Sequence, residues 1–494
     1  MTAESLSPDM APAAPTPIDH STAARNRLVI ALLLTSTFVV FLNETIMSVA
    51  IPHLMEDLGA TASAAQWLTT AFLLTMAVVI PITGFLLQRL NTRPIYILAM
   101  SVFSVGTLIC AVSPGLGMLV FGRVVQAVGT AIMMPLLMTT VMTLVPPEGR
   151  GKTMGNISIV MSVAPAIGPT ISGLILSYLD WRWMFILVLP ISLGALALGA
   201  RLMQNVSTPR YAPLDVISVI ISALAFGGIV YGLSAMGEGA GHEQAIPAWA
   251  PLAVGLVAMA IFVLRQLELQ KSDRALLDLR TFGYVNYTFS VVAMAVAMMG
   301  LFGMIILLPI YLQNVLGIDA LQTGLLLLPG SLMMGLLGPV VGRLYDRHGT
   351  RPLLIPGTVL VSAVLWGLTL VGSDTSVWPI LAGHIVMCLG LALVFTPLFT
   401  ASLSSLPMPL YSHGSAILGS VQQVAGAAGI ALFVALMTLQ TAALTAAGTA
   451  PVEALAAGIR TGFFCGAVIS LFAILAGIFV KKPPADPNMP AMGH

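Results

Sequence analysis

The sequence predicts an all-α integral membrane protein: two six-helix bundles in a pseudo-twofold arrangement, plus two extra transmembrane helices. Three observations predict this fold of fourteen spans with both termini in the cytoplasm. Of the 494 residues, 58% are hydrophobic and only 8% are charged, whereas a soluble protein has about 25% charged residues. Fourteen stretches have the roughly 20 apolar residues that cross a bilayer. A charged segment that follows the second stretch recurs in the second half of the chain.

The apolar stretches, taken in order, are the predicted spans. They cover residues 28–51, 65–87, 95–113, 117–144, 153–178, 183–203, 214–235, 248–267, 285–312, 323–345, 353–372, 377–404, 415–440 and 459–480. Basic residues orient the spans, because loops on the cytoplasmic side carry an excess of Lys and Arg. With the N-terminus inside, all of the 20 Lys and Arg except Arg123, Arg182 and Arg460 lie in cytoplasmic segments. This asymmetry indicates an even number of spans.

An internal repeat divides the chain. Residues 84–94 read GFLLQRLNTRP and residues 342–352 read GRLYDRHGTRP, so six of eleven positions match at an offset of 258 (342 minus 84). Each copy follows the second span of its half, which is typical of transporters that rock two bundles around a central site. The predicted parts are a disordered cytoplasmic tail (1–27), a six-helix bundle (28–205), a two-helix insertion with its cytoplasmic linker (206–282), a second six-helix bundle (283–480) and a cytoplasmic tail (481–494).

The repeated loop is predicted to clamp helices together at the cytoplasmic side. A glycine permits close approach of two helices, and an acidic side chain can cap the helix ends of the other half. The alternative is a plain anchor loop that carries positive charge. The candidate residues are Gly84, Arg89, Arg93, Gly342, Asp346, Arg347, Gly349 and Arg351. In the first copy, Gln88 stands where the second copy has Asp346.

Two charged residues interrupt apolar spans, Glu44 in the first and Arg123 in the fourth. At ~1.5 Å of rise per residue, Glu44 lies about 12 Å before the end of its span and Arg123 about 10 Å after the start of the antiparallel fourth span. A charge within a span costs at least about 2.5–3.5 kcal/mol and usually faces a partner in the bundle interior. We therefore predict that Glu44 carries a coupling proton and that Arg123 tunes it. A static ion pair, or direct binding of a cationic substrate by Glu44, remain open alternatives.

Polar side chains at helical spacing predict a cavity beside this pair. Thr37 and Ser48 share the face of Glu44, while Gln126 and Thr130 share the face of Arg123. The candidate cavity residues are Thr37, Asn43, Ser48, Gln126, Thr130 and Met134. The central spans are poor in polar groups, and the chain has 28 methionines, whose flexible thioethers let one pocket fit several ligands. The predicted cargo is therefore small, hydrophobic or amphipathic molecules.

Several other function classes are disfavoured. The net charge of +1 indicates no nucleic-acid partner. The three cysteines lie in apolar runs without metal-ligand or redox spacing, so we predict no metal site, no cofactor and no catalytic residue. GRGKT at 149–153 is not a phosphate loop, because Pro146 occupies the required first glycine position. We expect a monomeric transporter, not an enzyme, whose partners are its substrates, protons and the lipid bilayer.

Four motifs carry a family resemblance. They are the loop at 342–351, GRVVQAVGTA at 122–131, APAIGPTISG at 164–173 and LNETIMSVAIP at 42–52. Together they resemble the major facilitator superfamily, and in particular its fourteen-span drug:proton antiporters. In the first-helix motif of that family the usual acid is Asp, but here Asn43 takes its place and the acid is Glu44. The resemblance identifies an antiporter motif on the fifth span, formed by Pro165, Gly168, Pro169 and Gly173.

The resemblance implies proton-coupled export of drugs from the cytoplasm by alternating access, in the inner membrane of a bacterium. Two alternatives stay open. One is a dedicated transporter of a single metabolite or lipid on the same fold. The other is a non-transporting receptor or scaffold, for which spans 7 and 8 would form a docking element.

Overall fold

The computed structural model describes residues 20–60, 62–207, 209, 215–238, 247 and 249–482. In this part of the chain the regular structure is helical, and each of the predicted stretches coincides with one α-helix. The helices are α1 (His20–Leu58), α2 (Ala62–Arg89), α3 (Thr92–Ala111), α4 (Leu116–Leu144), α5 (Arg150–Tyr178), α6 (Trp183–Leu202), α7 (Val216–Glu238), α8 (Trp249–Leu269), α9 (Val285–Ile310), α10 (Ala320–His348), α11 (Arg351–Leu368), α12 (Val377–Ser404), α13 (Tyr411–Ala446) and α14 (Pro451–Phe479). Helices are expected in lipid, because only internal hydrogen bonds can satisfy the backbone there.

The ends of the chain differ from the prediction at one point. α1 begins at His20, so residues 20–27, which the sequence analysis assigned to a disordered tail, are helical. The segment HSTAARNR contains no Gly or Pro, and its Ala and Arg residues favour helix. The remainder of the two predicted tails, residues 1–19 and 483–494, lies outside the described residues.

Among the described residues, thirteen stretches are long and apolar enough to cross a membrane, and they fall in every helix except α5. Several side chains of α5 lie outside the described residues. α5 packs against α1, α10 and α12. The count of fourteen spans and the cytoplasmic position of both termini stay predictions.

Helix contacts follow the repeat. In the first half (α1–α6), α1 packs on α5, α2 on α4, and α3 on both α4 and α6. In the second half (α9–α14), α9 packs on α13, α10 on α12, and α11 on both α12 and α14. A six-helix unit that occurs twice would produce this correspondence. Helices α7 and α8 pack on each other, and α7 also contacts α2 and α13.

The two halves meet along two equivalent helix pairs, α5 with α10 and α2 with α13. Glycines bring the backbones of α5 and α10 into contact. A Cβ added at Gly155 or Gly338 would overlap the carbonyl oxygen of the other residue, and Gly151 and Gly342 face each other in the same way. Larger residues at these positions would force the two halves apart.

Hydrogen bonds between the halves lie toward one end of the helices, the end of the repeated basic loops. They include Thr139 Oγ1 to Ser415 Oγ (2.8 Å) and Arg150 Nη2 to the Tyr411 hydroxyl (3.2 Å). At the opposite end of α13, an open cavity of about 590 Å³ lies within the second half, lined by α13 between Met437 and Ala446 and by Leu455 of α14. The two halves are therefore joined at the end that the basic loops predict to be cytoplasmic.

Candidate functional site

Arg123 lies at the centre of a buried polar cluster within the first half. Its side chain is 1% exposed. Its Nη1 donates to Asn43 Oδ1 (3.2 Å) and to Gln126 Oε1 (3.1 Å). Its guanidinium carbon lies 4.1 Å from the centre of the Phe72 ring, a cation–π contact. The cluster extends to α3, because Gln126 Nε2 donates to Thr107 Oγ1 (2.8 Å). One cation thus links α1, α2 and α4.

Glu44 lies beside this cluster without joining its hydrogen bonds. It interacts electrostatically with Arg123, but none of the ion pairs among the described residues contains it. Its Oε2 atom is buried and accepts no hydrogen bond within the described part of the chain. An ionised carboxylate with an unpartnered buried oxygen is costly, and a bound proton relieves that cost. The position therefore suits a carboxyl group that exchanges a proton.

The hydrogen bonds of Arg123 thus go to Asn43 rather than to Glu44. The reason lies in helix geometry, because neighbouring residues point about 100° apart around a helix. With the acid one residue beyond Asn43, the amide faces the guanidinium and the carboxylate faces elsewhere. Among the described residues, Glu44 and Arg123 therefore form no hydrogen-bonded ion pair, which is one form of the static pair that the sequence left open.

The other predicted cavity residues have different surroundings. Thr37 is buried, and its hydroxyl has no partner among the described residues. Thr130 is buried and donates to the Gln126 carbonyl (3.1 Å). Met134 is partly buried and packs on the apolar core. Ser48 belongs to α1, but its side chain lies outside the described residues.

The antiporter motif touches α1 next to Glu44. Gly168 of α5 is buried, and a Cβ there would overlap the hydroxyl of Thr45, so glycine permits the close packing of α5 on α1. Gly173 has open space around its Cβ position. The side chains of Pro165 and Pro169 lie outside the described residues.

Asp346 in the repeated loop caps a helix of the other half. Its Oδ1 accepts from the Gly151 backbone N–H (2.8 Å) and its Oδ2 from the Lys152 N–H (2.9 Å), in the first turn of α5. A carboxylate is favourable there because the first backbone N–H groups of a helix lack partners within the helix. Gly349 ends α10 with φ of +83°, a backbone conformation that glycine adopts without strain.

The first copy of the loop makes the equivalent contact with different chemistry. Gln88 Nε2 lies 2.7 Å from His413 Nε2 at the start of α13, and 3.5 Å from the Pro409 carbonyl oxygen. Gly84 packs on α13 beside Ser412. The sequence shows that Gln88 stands at the Asp position, but it does not indicate that His413 is its partner.

Two basic residues of the repeated loop contact groups within their own half of the molecule. Arg89 lies 5.8 Å over the Phe85 ring, and the Arg93 side chain donates to the Ala200 carbonyl oxygen. Arg347 is in the last turn of α10 and Arg351 begins α11. Arg347 is favourable there because cations are stabilised near helix C-termini. Arg93 and Arg351 lie in the first turns of α3 and α11 and add positive charge to the predicted cytoplasmic surface.

Sequence reasoning missed Phe72 and Thr107, which complete the Arg123 cluster. An aromatic residue or a threonine in an apolar span is ordinary, and nothing in the local sequence marks either one. Spacing along the chain can assign residues to one face of a helix, but it does not show which residue on another helix faces them.

Comparison with known proteins gives one family. Residues 33–430 match the family model for the Major Facilitator Superfamily. The lincomycin resistance protein LmrB of Listeria monocytogenes is 39% identical over 459 residues, which cover 92% of this chain and 96% of that protein. The protein of that name from Bacillus subtilis is 36% identical, over 93% and 96% of the two chains. A multidrug resistance protein B homolog of Mycobacterium tuberculosis is 30% identical, over 84% and 78%.

Solved structures share the fold. The proton:xylose symporter XylE superposes with a TM-score of 0.62 at 14% identity, over 94% of this chain and 97% of that one. The human organic anion transporter MFSD10 gives 0.60 at 15% identity, over 90% and 99%. The apolar helices of this chain and its bacterial relatives identify it as a multi-pass protein of a bacterial cell membrane.

Proposed function

This chain belongs to the Major Facilitator Superfamily, and from that premise we propose that it is a proton-coupled antiporter of the fourteen-span drug:proton type. It exports amphipathic, hydrophobic compounds from the cytoplasm by alternating access. The relatives named for lincomycin and multidrug resistance support drug transport. The proton coupling rests on one observation, the buried and unpartnered carboxylate oxygen of Glu44 beside the guanidinium of Arg123.

Coupling arises because the proton and the cargo compete for one buried site. With the halves joined at the cytoplasmic end, Glu44 takes a proton from the outer side and becomes neutral. When the contacts of α5 with α10 and of α2 with α13 separate, the cavity opens inward. Glu44 then releases the proton to the cytoplasm, and cargo enters the emptied cavity. Arg123 stays charged throughout and favours release of the proton, because it stabilises the ionised carboxylate.

The test uses purified protein in proteoliposomes with lincomycin as the first probe, since relatives carry that name. An acidic interior should drive lincomycin uptake in exchange for protons. Glu44→Gln keeps the size of the side chain but removes the titratable group, so uptake should lose its dependence on the pH gradient. Full gradient-driven uptake by this variant would refute the role of Glu44.

A matched control is Glu268→Gln. Glu268 is an exposed acid near the end of α8 that pairs with Lys271 (2.7 Å), far along the chain from the cluster. Its replacement should leave gradient-driven uptake unchanged. A panel of amphipathic dyes and antibiotics, offered as competitors, separates the two open cargo classes. Competition by many of them supports a multidrug exporter, whereas uptake confined to one compound points to a dedicated transporter.

A further inference from the structure

The arginine motif of α4 has a counterpart in the second half. Residues 122–131 read GRVVQAVGTA and residues 383–392 read GHIVMCLGLA, with four of ten positions identical at an offset of 261 (383 minus 122). At the position of Arg123 stands His384. Each is the eighth residue of its helix, counted from Leu116 and from Val377. At ~1.5 Å per residue both lie about 10 Å from the start of the helix.

The packing around the two residues also corresponds. Arg123 stacks on Phe72 of α2. The repeated loop relates α2 to α10 at an offset of 258, which places Gly330 at the position of Phe72. His384 packs on Gly330, since a Cβ added there would lie 2.6 Å from the His384 Cδ2 atom. In the first half an aromatic ring covers a permanent cation, and in the second half a glycine leaves room for an imidazole.

The imidazole has one nitrogen engaged and one nitrogen free. His384 Nε2 lies 3.0 Å from the Leu327 carbonyl oxygen of α10. Because a carbonyl only accepts, Nε2 carries the hydrogen and donates it. Nδ1 is buried and has no hydrogen-bond partner among the described residues. Its lone pair is therefore available to a proton.

Among the residues that the structure describes, no charge of either sign compensates this histidine. On its own helix the titratable neighbour is Cys388, whose Sγ lies 3.6 Å from Nε2. From α10 the Leu327 carbonyl and Gly330 face it. No acidic or basic side chain in the described part of the chain hydrogen-bonds or pairs with it. The positions equivalent to Glu44, at offsets of 257 and 258, are Leu301 and Phe302.

The location of His384 links it to the movement of the halves. It lies between α10 and α12, and both helices also pack on α5 of the first half. Separation of the halves along α5 changes how much water reaches the α10–α12 seam. An uncompensated imidazolium is costly where it is dry and acceptable where water enters. Protonation of such a group therefore biases the equilibrium between the two conformations.

We propose that His384 is a second proton-binding site of this transporter, the counterpart in the second half of the Glu44–Arg123 site. The Nδ1 lone pair accepts one proton to give an imidazolium, while Nε2–H stays bonded to the Leu327 carbonyl. In the other conformation the new Nδ1–H bond breaks and its proton leaves to water. Histidine suits this exchange, because its ordinary pKa of about 6.5 lies within the physiological range. As a coupling site it rests on the proposed antiport.

The first test counts protons and requires no substrate. Purified wild type and His384→Gln are acidified from pH 8 to pH 5, and proton uptake is measured with an indicator dye. Wild type should take up about one proton more per molecule. Equal uptake would overturn the proposal. If His384→Gln does not give a monodisperse protein, His384→Asn replaces it in the same measurement.

The second test measures coupling. In proteoliposomes with the membrane potential clamped at zero, the equilibrium lincomycin gradient is measured at several imposed pH differences. The slope of its logarithm against the pH difference is the number of protons exchanged per lincomycin. We expect the slope to fall from about two in wild type to about one in His384→Gln, with one proton assigned to each site. An unchanged slope in a variant that still transports would overturn the role of His384.

His348→Gln is the matched control. His348 is exposed at the end of α10, where its Nδ1 lies 3.2 Å from the Leu344 carbonyl oxygen. This variant should keep the wild-type slope in the second test. A slope of zero in wild type would refute proton coupling as a whole, and the first test would still decide whether His384 binds a proton.

Discussion

At the scale of single residues, a shift of one position separates two roles at the buried cluster. The amide oxygen of Asn43 accepts a hydrogen bond from Arg123 Nη1 at 3.2 Å. Glu44, the next residue, keeps a buried oxygen without a partner. An amide does not titrate, so its hydrogen bond persists whatever the protonation state of Glu44. Neutral groups thus hold the cation in place, and the proposed proton exchange at Glu44 leaves their hydrogen bonds unchanged.

Arg123→Gln should destabilise the protein, because it removes a donor that serves two buried oxygens. The Asn43 Oδ1 and Gln126 Oε1 atoms would lose a hydrogen bond, and each buried unsatisfied group costs about 1–3 kcal/mol. We expect a lower melting temperature in detergent, measured by intrinsic fluorescence. Arg123→Lys keeps the charge but loses the planar guanidinium, so its melting temperature should lie between those of wild type and Arg123→Gln. A melting temperature of Arg123→Gln equal to wild type would show that the cluster does not stabilise the first half.

At the scale of elements, the two-helix insertion is held together by polar contacts at its predicted cytoplasmic end. Asp215, just before α7, accepts from Arg265 of α8 at two positions, Nε to Oδ2 (2.7 Å) and Nη2 to Oδ1 (2.8 Å). Gln266 Nε2 donates to Ser218 (2.8 Å), and its Oε1 accepts from the Leu276 backbone N–H (2.7 Å). These bonds attach the linker after α8 to the α7–α8 pair.

Asp215→Asn should lower the free energy of unfolding by about 1 kcal/mol at pH 7, the upper end for a partly exposed ion pair. The hydrogen bond from Arg265 lowers the pKa of the Asp215 carboxyl from 3.8 to about 2. A lowered folded-state pKa gives stability that is present above about pH 4 and is lost as the pH falls toward 2. The difference in melting temperature from wild type should therefore be constant between pH 7 and pH 5 and shrink below pH 4.

The control for this prediction is Asp180→Asn. Asp180 pairs with Arg182 at 3.4 Å, and both side chains are more than a third exposed, at 46% and 35% respectively. Solvent screens such a pair, so the melting temperature should change little at any pH. A constant gap between wild type and Asp215→Asn down to pH 3 would mean that the Asp215 carboxylate is not the source of the stability.

At the scale of the whole molecule, two helix pairs hold the halves together at one end. Asp346 caps α5 from α10, and Gln88 approaches His413 of α13 from α2. The two contacts occupy equivalent positions, but one uses a carboxylate on backbone N–H groups and the other uses neutral side chains. In the proposed mechanism both contacts break before the cavity opens at this end, so we expect the Asp346 cap to set part of the balance between conformations.

Asp346→Asn should shift the molecule toward the state that is open at the cytoplasmic end. Asn keeps one acceptor oxygen but loses the second acceptor and the negative charge at the start of α5, which costs about 1 kcal/mol. That corresponds to about a fivefold change in the ratio of the two conformations. Spin labels on Glu148 and His348, near the start of α5 and the end of α10, would report a larger population at long distance. Double electron–electron resonance measures that population.

Asp319→Asn makes the same chemical change at the other end of α10. Asp319 caps α10 through the Gln322 backbone N–H (2.8 Å) within the second half, so it does not join the halves. Its distance distribution should match wild type. If both variants shift equally, helix capping alone, and not the contact between halves, accounts for the effect.

The local sequence was sufficient for the helices and the repeat, because both depend on features that lie close together along the chain. About 20 apolar residues form a helix in lipid with hydrogen bonds inside the segment, so the predicted stretches and the observed α-helices coincide. Glu44 and Arg123 were visible because a charge stands out in an apolar run. Asp346 was visible because the segment around it occurs twice.

Packing between distant helices set the partners of these residues, and the sequence could not. Gln88 and His413 are 325 residues apart, and Phe72 reaches Arg123 from another helix. Whether Asn43 or Glu44 faces Arg123 depends on the rotation of α1, since adjacent residues differ by about 100°. That rotation follows from close packing of side chains on several helices at once. Backbone hydrogen bonding forms a helix from its own residues, whereas its orientation depends on every neighbour it packs against.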